Sequence, residues 1–541
     1  MIIIVLTLIG AILRFYNLNW DNGNFFHPDE RNIANAVSAI HFFDQLNPKF
    51  FAYGGFSIYL YRLMAQVLFF VTHNNAWISD WGHINVIGRF CSALFSTLTI
   101  PAIYILTKSV FDKRTAILAA FLTTFTVSFI QTAHFGVTES LITLLAVLLC
   151  FFSIDLFTKP EINKYILCGI VAGIALATKT SALLFIIFPL SAYLFICFRH
   201  RFLFLKHSLY FIFLICIAII VLVVFSPYTF LDWTKFMESM KYEQGVATGT
   251  LPVVYTLQFE HTMSYFFQIK NFFWQIGPIA LFSVVAPLFV FFLAIKNKEY
   301  KYIIFLFFPI MYFLYVGSWH TKFIRYMMPL LPFLIIAVSY KLTAIEKKLK
   351  FVGTIIICFV CVTTALWALS FFHIYTQEQT RITASRWIYA NILPQSKILT
   401  EHWDDGLPIP LLSYSPSLYN NEQLTIYEPD NNDKIHYFAN KLSNAEYIVI
   451  NSRRLYGTLV HLPEKYPITS RYYKLLFNEQ LGYKKVAEFS SYPSLLGFEI
   501  NDDLSEESFQ VYDHPKVIIF KNTKKYSATI IGSILNGTFY P

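Results

Sequence analysis

Six residues, Phe26-His27-Pro28-Asp29-Glu30-Arg31, carry two adjacent carboxylates roughly ten residues beyond the first hydrophobic segment. Most of the chain behind them is apolar enough to lie in a membrane. Ionisable groups held against a bilayer are costly to keep and usually functional. A carboxylate in that position suits a general base, or a ligand that offers oxygen to a hard divalent cation. The same residues also read as a helix start. Pro28 is a good first helical residue, and Asp29 and Glu30 suit the positive end of the helix dipole. The two readings are compatible, because a helix start fixes where a carboxylate points.

Further ionisable residues stand at the ends of apolar segments. His134 and Glu139 flank a tight connection, His134-Phe135-Gly136-Val137-Thr138-Glu139, and Lys179 sits between two very apolar stretches in Ala177-Thr178-Lys179-Thr180. Arg89 lies just inside a long apolar run, and His320, Lys322 and Arg325 cluster between two others. A lone Lys or Arg at a helix end is more often a snorkelling side chain than a ligand-binding one. Glu139 has fewer innocent explanations, being a carboxylate one turn into an apolar segment. Taken together, cations and carboxylates on one side of a membrane suit a substrate that brings a phosphate and a nucleophile that must lose a proton.

These residues need a membrane scaffold, and composition supplies one. Of 541 residues, 56% are hydrophobic and 14% charged, against about a quarter charged in soluble domains. The net charge of +9 comes from basic residues clustered at the ends of apolar runs, which argues against a nucleic-acid partner and for a lipid bilayer. Eleven spans are predicted, at residues 2–15, 84–106, 115–131, 137–157, 165–177, 181–198, 209–228, 272–295, 302–316, 326–340 and 351–372. The first span lacks an A-x-A-like cleavage site and is expected to be retained, with a true start a few residues upstream.

Orientation follows from Lys and Arg. Lys108, Lys113 and Arg114, then Lys159 and Lys164, then Arg199, Arg201 and Lys206, then Lys296, Lys298 and Lys301, then Lys341, Lys347, Lys348 and Lys350 all fall on one side, the cytoplasmic one. Asp29 and everything after residue 372 are then outside. A crossing at residues 56–71 would invert every later loop, so that segment, which carries Arg62 and three tyrosines, is predicted to lie in the interface. The outer loops are 17–83 and 229–271. The second, with Asp232, Lys235, Glu238, Lys241, Glu243 and Glu260 beside Gly245 and Gly249, suits a mobile lid.

The layout resembles the GT-C superfamily of polyprenol-phosphate-dependent glycosyltransferases, nearest glycosyltransferase family 39, the protein O-mannosyltransferases, and the lipid A aminoarabinose transferase. The residues that carry the likeness are Arg14-Phe15, His27-Pro28-Asp29-Glu30, Ala52-Tyr53-Gly54-Gly55, Gly88-Arg89, the run 169–179 ending in Ala-Thr-Lys, and Arg325-Tyr326 with Pro329 and Pro332. They span about residues 1–340. The resemblance implies a polyprenyl-phosphate-linked sugar as donor, an acceptor hydroxyl on protein, lipid or glycan, and a prokaryotic plasma membrane. It makes Asp29, with Glu30 beside it, catalytic. Arg89, Lys179, Arg325, His320, His27 and Arg14 become the phosphate- and substrate-binding set. Glu139, with Asp29, takes the place of the acidic residue that holds a divalent cation, Mg or Mn, in some members. One departure stands out: the His-Pro-Pro motif or Lys-Pro pair that contacts the carrier in relatives is missing after Asp29-Glu30. Two rival readings are a multi-span transporter and a ligase or polymerase acting on diphosphate-linked glycans.

The fold class is thus a polytopic α-helical membrane protein of the GT-C type, residues 1–372, with a small extracytoplasmic α/β domain, residues 373–541. In the latter a helix is predicted at 381–392 and apolar strands at 397–400, 447–450 and 516–520, bounded by Asn, Asp, Pro and Ser. All seven cysteines lie in apolar segments, so this domain does not use disulfides.

Overall fold

A computed structural model describes residues 1–538. The chain divides into two compact units, Met1–Leu251 with Thr262–Phe372, and Pro252–His261 with His373–Pro541.

The first unit is helical. Six helices among the described residues are long and apolar enough to cross a membrane: Gly55–Thr72, Trp81–Val110, Glu139–Thr158, Thr180–Arg199, Arg201–Phe225 and the run that starts at Lys350. Two further pairs qualify when each is taken as one bent span, Lys113–Thr124 with Val127–Ala133 (52°) and Phe266–Phe282 with Val285–Asn297 (46°). Ile2–Phe15, Ile162–Thr178 and Tyr300–Val316 are apolar but shorter. Helix Gly55–Thr72, predicted to rest in the interface, therefore meets the length and composition of a span. Leu331–Lys348, predicted to cross over residues 326–340, does not, because Lys341, Glu346, Lys347 and Lys348 crowd its second half.

Burial separates the helices by role. Glu139–Thr158 is mostly interior, with its core face at Leu141, Ile142, Leu145, Leu149 and Ile154. Phe204–Phe225 buries only His207, Leu214 and Ala218 and turns the rest of its apolar surface outward, as a lipid-facing helix must. Small residues set the closest approaches. A Cβ on Gly173 would come within 2.6 Å of Val221, and one on Gly10 within 2.2 Å of Ile100 Cδ1. At one end of the bundle Asp112 caps the helix Lys113–Thr124 and pairs with Lys347, while Arg114 pairs with Glu346.

The second unit is a five-stranded mixed sheet with helices packed on it. Strand order is Asn420–Leu424, Lys397–Glu401, Tyr447–Ile450, Val517–Asn522, Tyr483–Phe489, the first three parallel and the last two antiparallel to their neighbours. The three central strands are those expected from their apolar runs. The two edges are additions, since Asn-Asn-Glu-Gln-Leu has little β-propensity and Tyr-Lys-Lys-Val-Ala-Glu-Phe carries the lysines that protect an exposed edge. Helices Asn432–Asn444 and Pro467–Phe477 bury Phe438, Leu442, Tyr472, Tyr473 and Leu476 against Ile448, Ile518 and Phe520.

The segment Val511-Tyr512-Asp513-His514-Pro515 builds this unit from inside. The buried His514 ring lies 2.6 Å from Asp513 Oδ1 through Nδ1 and 2.7 Å from Asp502 Oδ2 through Nε2. Burial disfavours its charged form, but the two carboxylates outweigh that and push its pKa up to about 10. An imidazolium so held contributes stability fully below the ordinary histidine pKa and loses it as pH rises through about 10.

Candidate functional site

The site grows from the start of the helix Pro28–Ser38. His27 is its N-cap, with Nδ1 accepting from the Asp29 N–H at 3.2 Å. Burial pushes the His27 ring toward its neutral form, as an accepting Nδ1 requires. Asp29 and Glu30 then occupy the first turn. Successive residues of a helix point about 100° apart, so the two carboxylates go to different places.

Glu30 turns inward, away from Asp29. Its Oε1 accepts from Arg89 Nε at 2.8 Å and from the Gly136 N–H, and its Oε2 accepts from Arg89 Nη2 at 2.6 Å. Arg89 also reaches Asp21 Oδ1 at 2.9 Å, Asp21 Oδ2 at 2.8 Å and the Leu18 carbonyl at 3.0 Å. All five guanidinium donors are thereby used. Side-chain exposure is 1% for Arg89, 1% for Asp21 and 0% for Glu30. The triad lies beneath the Trp20 ring, 4.7 Å from the Arg89 carbon. It is a sealed ion cluster that joins the first loop to the helix Trp81–Val110 and to the turn at Gly136.

Asp29 turns toward a second group. Arg325 Nη1 donates to Asp29 Oδ2, and Tyr53 stands beside the same carboxylate and helps hold it ionised. Burial alone would raise the Asp29 pKa, but Arg325, with His27, Tyr53 and Lys179, holds the carboxyl below its ordinary value. Lys179 Nζ lies 2.9 Å from Glu139 Oε1, 5.4 Å from the Tyr53 ring centroid and 6.0 Å from that of Tyr326. Arg325 also faces Tyr326, at 5.9 Å. Asp29, Tyr53, Glu139, Lys179 and Arg325 thus converge from five separate segments. Asp29, Arg325 and Lys179 keep side-chain exposures of 19%, 22% and 19%, so a ligand has access to them.

Two glycine motifs close the arrangement. Gly54 N donates to the Thr178 carbonyl at 2.9 Å, and a Cβ on Gly54 would stand 2.0 Å from the Ala177 carbonyl oxygen. Only glycine permits that approach, so Ala52-Tyr53-Gly54-Gly55 and Ala177-Thr178-Lys179 are two halves of one contact that sets Tyr53 beside Lys179. The outer loop is tied down on the other side. Helix Trp233–Thr248 ends at Gly249 (φ 79°), where a Cβ would strike His320 at 2.7 Å. Thr321 bonds to the carbonyls of Ala247 (3.2 Å) and Val246 (2.7 Å). That positions Glu243, which is half-buried and electrostatically coupled to Arg325, Lys179 and Asp29; burial raises its carboxyl.

The remaining predicted residues stand elsewhere. Arg14 is fully buried and spends its guanidinium on Ser96 Oγ (2.8 Å) and the carbonyls of Gly10, Thr124 and Thr123 (3.0, 3.1 and 3.0 Å). His320 borders the loop at Gly249, and its carbonyl accepts from Lys322 Nζ at 2.8 Å. Tyr53, Asp21 and Glu243 join the site from the structure rather than from the sequence. Tyr53 has a signal, since it precedes the paired glycines; the two acids have none that separates them from other loop carboxylates.

A divalent cation would draw on Asp29 and Glu139. Glu139 Oε2 is buried without a hydrogen-bond partner, but Oε1 is paired with Lys179 and Asp29 with Arg325. Among the described residues no group of three His, Cys, Asp or Glu side chains is placed to hold a metal. In this arrangement each of the two carboxylates is engaged by a cation, Glu139 by Lys179 and Asp29 by Arg325, and no step is assigned to a metal.

Comparison with known proteins bears on the fold. Residues 81–229 match the family described as dolichyl-phosphate-mannose-protein mannosyltransferase. No curated protein matches the sequence. Among solved structures, the Archaeoglobus fulgidus oligosaccharyltransferase in complex with Zn and sulfate is 14% identical, covering 90% of this chain and 72% of that one at a TM-score of 0.53. The same protein tethered to an acceptor peptide with the NVT sequon is 12% identical, covering 96% and 88% at 0.50. ArnT from Cupriavidus metallidurans bound to undecaprenyl phosphate is 12% identical over 97% and 99%, at 0.49. The chain has the GT-C glycosyltransferase fold, as the sequence motifs imply, and its segment 81–229 is similar to the protein mannosyltransferases.

Proposed function

We propose that this protein is an integral-membrane glycosyltransferase that moves a sugar from a polyprenyl-phosphate carrier to an acceptor hydroxyl on the extracytoplasmic face, inverting the anomeric carbon, with Asp29 as base. The observation that carries the reading is the gathering of one accessible carboxylate, Asp29, with two accessible cations, Arg325 and Lys179. A sugar on a phosphate already has a good leaving group. What the reaction asks of the protein is a base for the hydroxyl and positive charge for the departing phosphate. The similarity of residues 81–229 to a family named for a dolichyl-phosphate sugar supports that donor class.

Base strength is coupled to donor occupancy in this scheme. At rest Arg325 holds the Asp29 carboxyl down. A phosphate that engages Arg325 diverts that charge, and the Asp29 pKa rises, so the carboxylate becomes a stronger base once the donor is in place. Lys179 is restrained by Glu139 in the same manner and is freed toward the phosphate by the same exchange. Glu30, Arg89 and Asp21 act by holding the loop that carries Asp29, and Arg14 by joining three helices.

Lipid-linked sugars extracted from a deletion strain and resolved by mass spectrometry test the reading. One polyprenyl-phosphate sugar should accumulate, and purified protein should discharge it onto an acceptor. An unaltered lipid-linked pool together with no discharge by intact protein would remove the proposal. Within the site, Lys179→Ala should raise the KM for the lipid donor while leaving folding intact, and Lys179→Arg should restore part of the loss because charge is kept but geometry changes. Unchanged donor kinetics in Lys179→Ala would return Lys179 to the role of a helix-end residue neutralising Glu139.

A further inference from the structure

The second unit contains a cavity that the transfer reaction does not use. It lies over the outer part of the sheet, between Val517–Asn522, Tyr483–Phe489, the end of the helix Pro467–Phe477 and the short helix Tyr456–Leu459, and has a volume of about 690 Å³. That is within the range of about 300–1,000 Å³ usual for small-molecule sites.

Its floor is aromatic. Phe477, 37% exposed despite its size, meets Tyr456 edge-on at 5.0 Å and Phe520 at 5.8 Å. Its walls are ionic but balanced. Arg453, Lys485 and Lys516 stand against Glu479, Glu488 and Asp503, three cations to three carboxylates. Two of these are internal pairs, Lys516 with Asp503 at 2.8 Å and Lys485 with Glu488 at 2.8 Å. Arg453 is held by the carbonyls of Asp503 (2.9 Å) and Ser505 (2.6 Å), while its Nε is buried with no hydrogen-bond partner. With as many carboxylates as cations in the wall, a strongly charged ligand meets repulsion along with attraction. A neutral ligand with many hydroxyls does not, because each ion pair still has donors and acceptors to share. The aromatic floor adds a surface for the C–H face of a ring.

We propose that this cavity binds a neutral carbohydrate, stacked on Phe477 and Tyr456 and hydrogen-bonded by the paired charges around them. The proposal is independent of the chemistry in the membrane unit, so loss of transfer does not bear on it.

The test is direct binding by full-length protein in lipid nanodiscs to an array of neutral and acidic mono- to tetrasaccharides, followed by titration of the best neutral binder. Wild type and Asp29→Asn should bind it alike. Phe477→Ala should weaken it about tenfold, the loss of one stacking contact. Because Phe477 also packs on Phe520, a second variant guards against simple unfolding. Gly457 lines the cavity, and a Cβ there would meet its nearest neighbour, Arg453 Cβ, at 3.6 Å, so Gly457→Phe has room to start and fills the space. It should abolish binding without lowering the melting temperature. The proposal fails if no neutral saccharide binds, if acidic saccharides bind in preference, or if Gly457→Phe binds as well as wild type.

Discussion

Replacing Asp29 by asparagine is expected to cut turnover by about 10²–10⁴-fold, the contribution a positioned general base typically makes. The amide keeps the shape of the carboxylate and its place in the first turn of Pro28–Ser38, so the loop stays folded and the donor still binds. What is lost is the acceptor for the hydroxyl proton. The pH dependence gives a second signature. Arg325 and its neighbours hold the Asp29 carboxyl low in the free protein, so the acid limb of kcat/KM should fall below the ordinary aspartate range, and Arg325→Gln should move that limb upward. The sign follows from charge. A depressed carboxyl is ionised across the neutral range and loses its function only as pH drops through the folded-state value. Turnover by Asp29→Asn within threefold of wild type, measured with saturating donor, would exclude Asp29 as the base.

Breaking the buried triad should have a different outcome. Arg89→Leu leaves Glu30 and Asp21, both sealed from solvent, with no cation between them. Removing one partner from a buried ion pair costs about 3–5 kcal/mol, here with two carboxylates stranded. The protein should therefore melt far lower or fail to accumulate in the membrane. Glu30→Gln should follow in the same direction with a smaller loss, since Asp21 still neutralises Arg89. Thermal melting of detergent-solubilised variants measures this without any substrate. If Arg89→Leu melts normally and only donor affinity falls, Arg89 contacts the phosphate after all and the scaffold assignment is wrong. The contrast with Asp29→Asn, expected to fold and melt normally, separates the two neighbouring carboxylates by role.

Much about this chain is legible one-dimensionally, because its signals are local. Apolar runs show the long helices of the first unit whatever they pack against. Pro28 after His27 marks a helix start through backbone chemistry alone, and it appears there with His27 as the cap. In the second unit, Tyr447–Ile450 is readable because a strand buried on both faces is apolar throughout. The edge strands Asn420–Leu424 and Tyr483–Phe489 escape such a reading, since an edge needs polar residues and so sheds the pattern that identifies a strand.

The partnerships are not legible, for a geometric reason. Asp29 and Glu30 are adjacent in sequence, and nothing in their spacing tells which faces the accessible site. The turn of the helix sends one to Arg325, 296 residues away, and the other to Arg89, 59 residues away. Arg89, Arg14 and Arg325 are alike as isolated arginines at the ends of apolar runs. Tertiary packing seals the first two with every or nearly every donor spent, and leaves the third partly exposed beside a carboxylate. Tyr53 becomes a site residue only because Gly54 lets the backbone of the first loop touch the carbonyl of Ala177. Residue type and local pattern determined which groups were available for chemistry. Which of them face one another was decided by close packing between segments distant in the chain, where a single missing Cβ sets the approach.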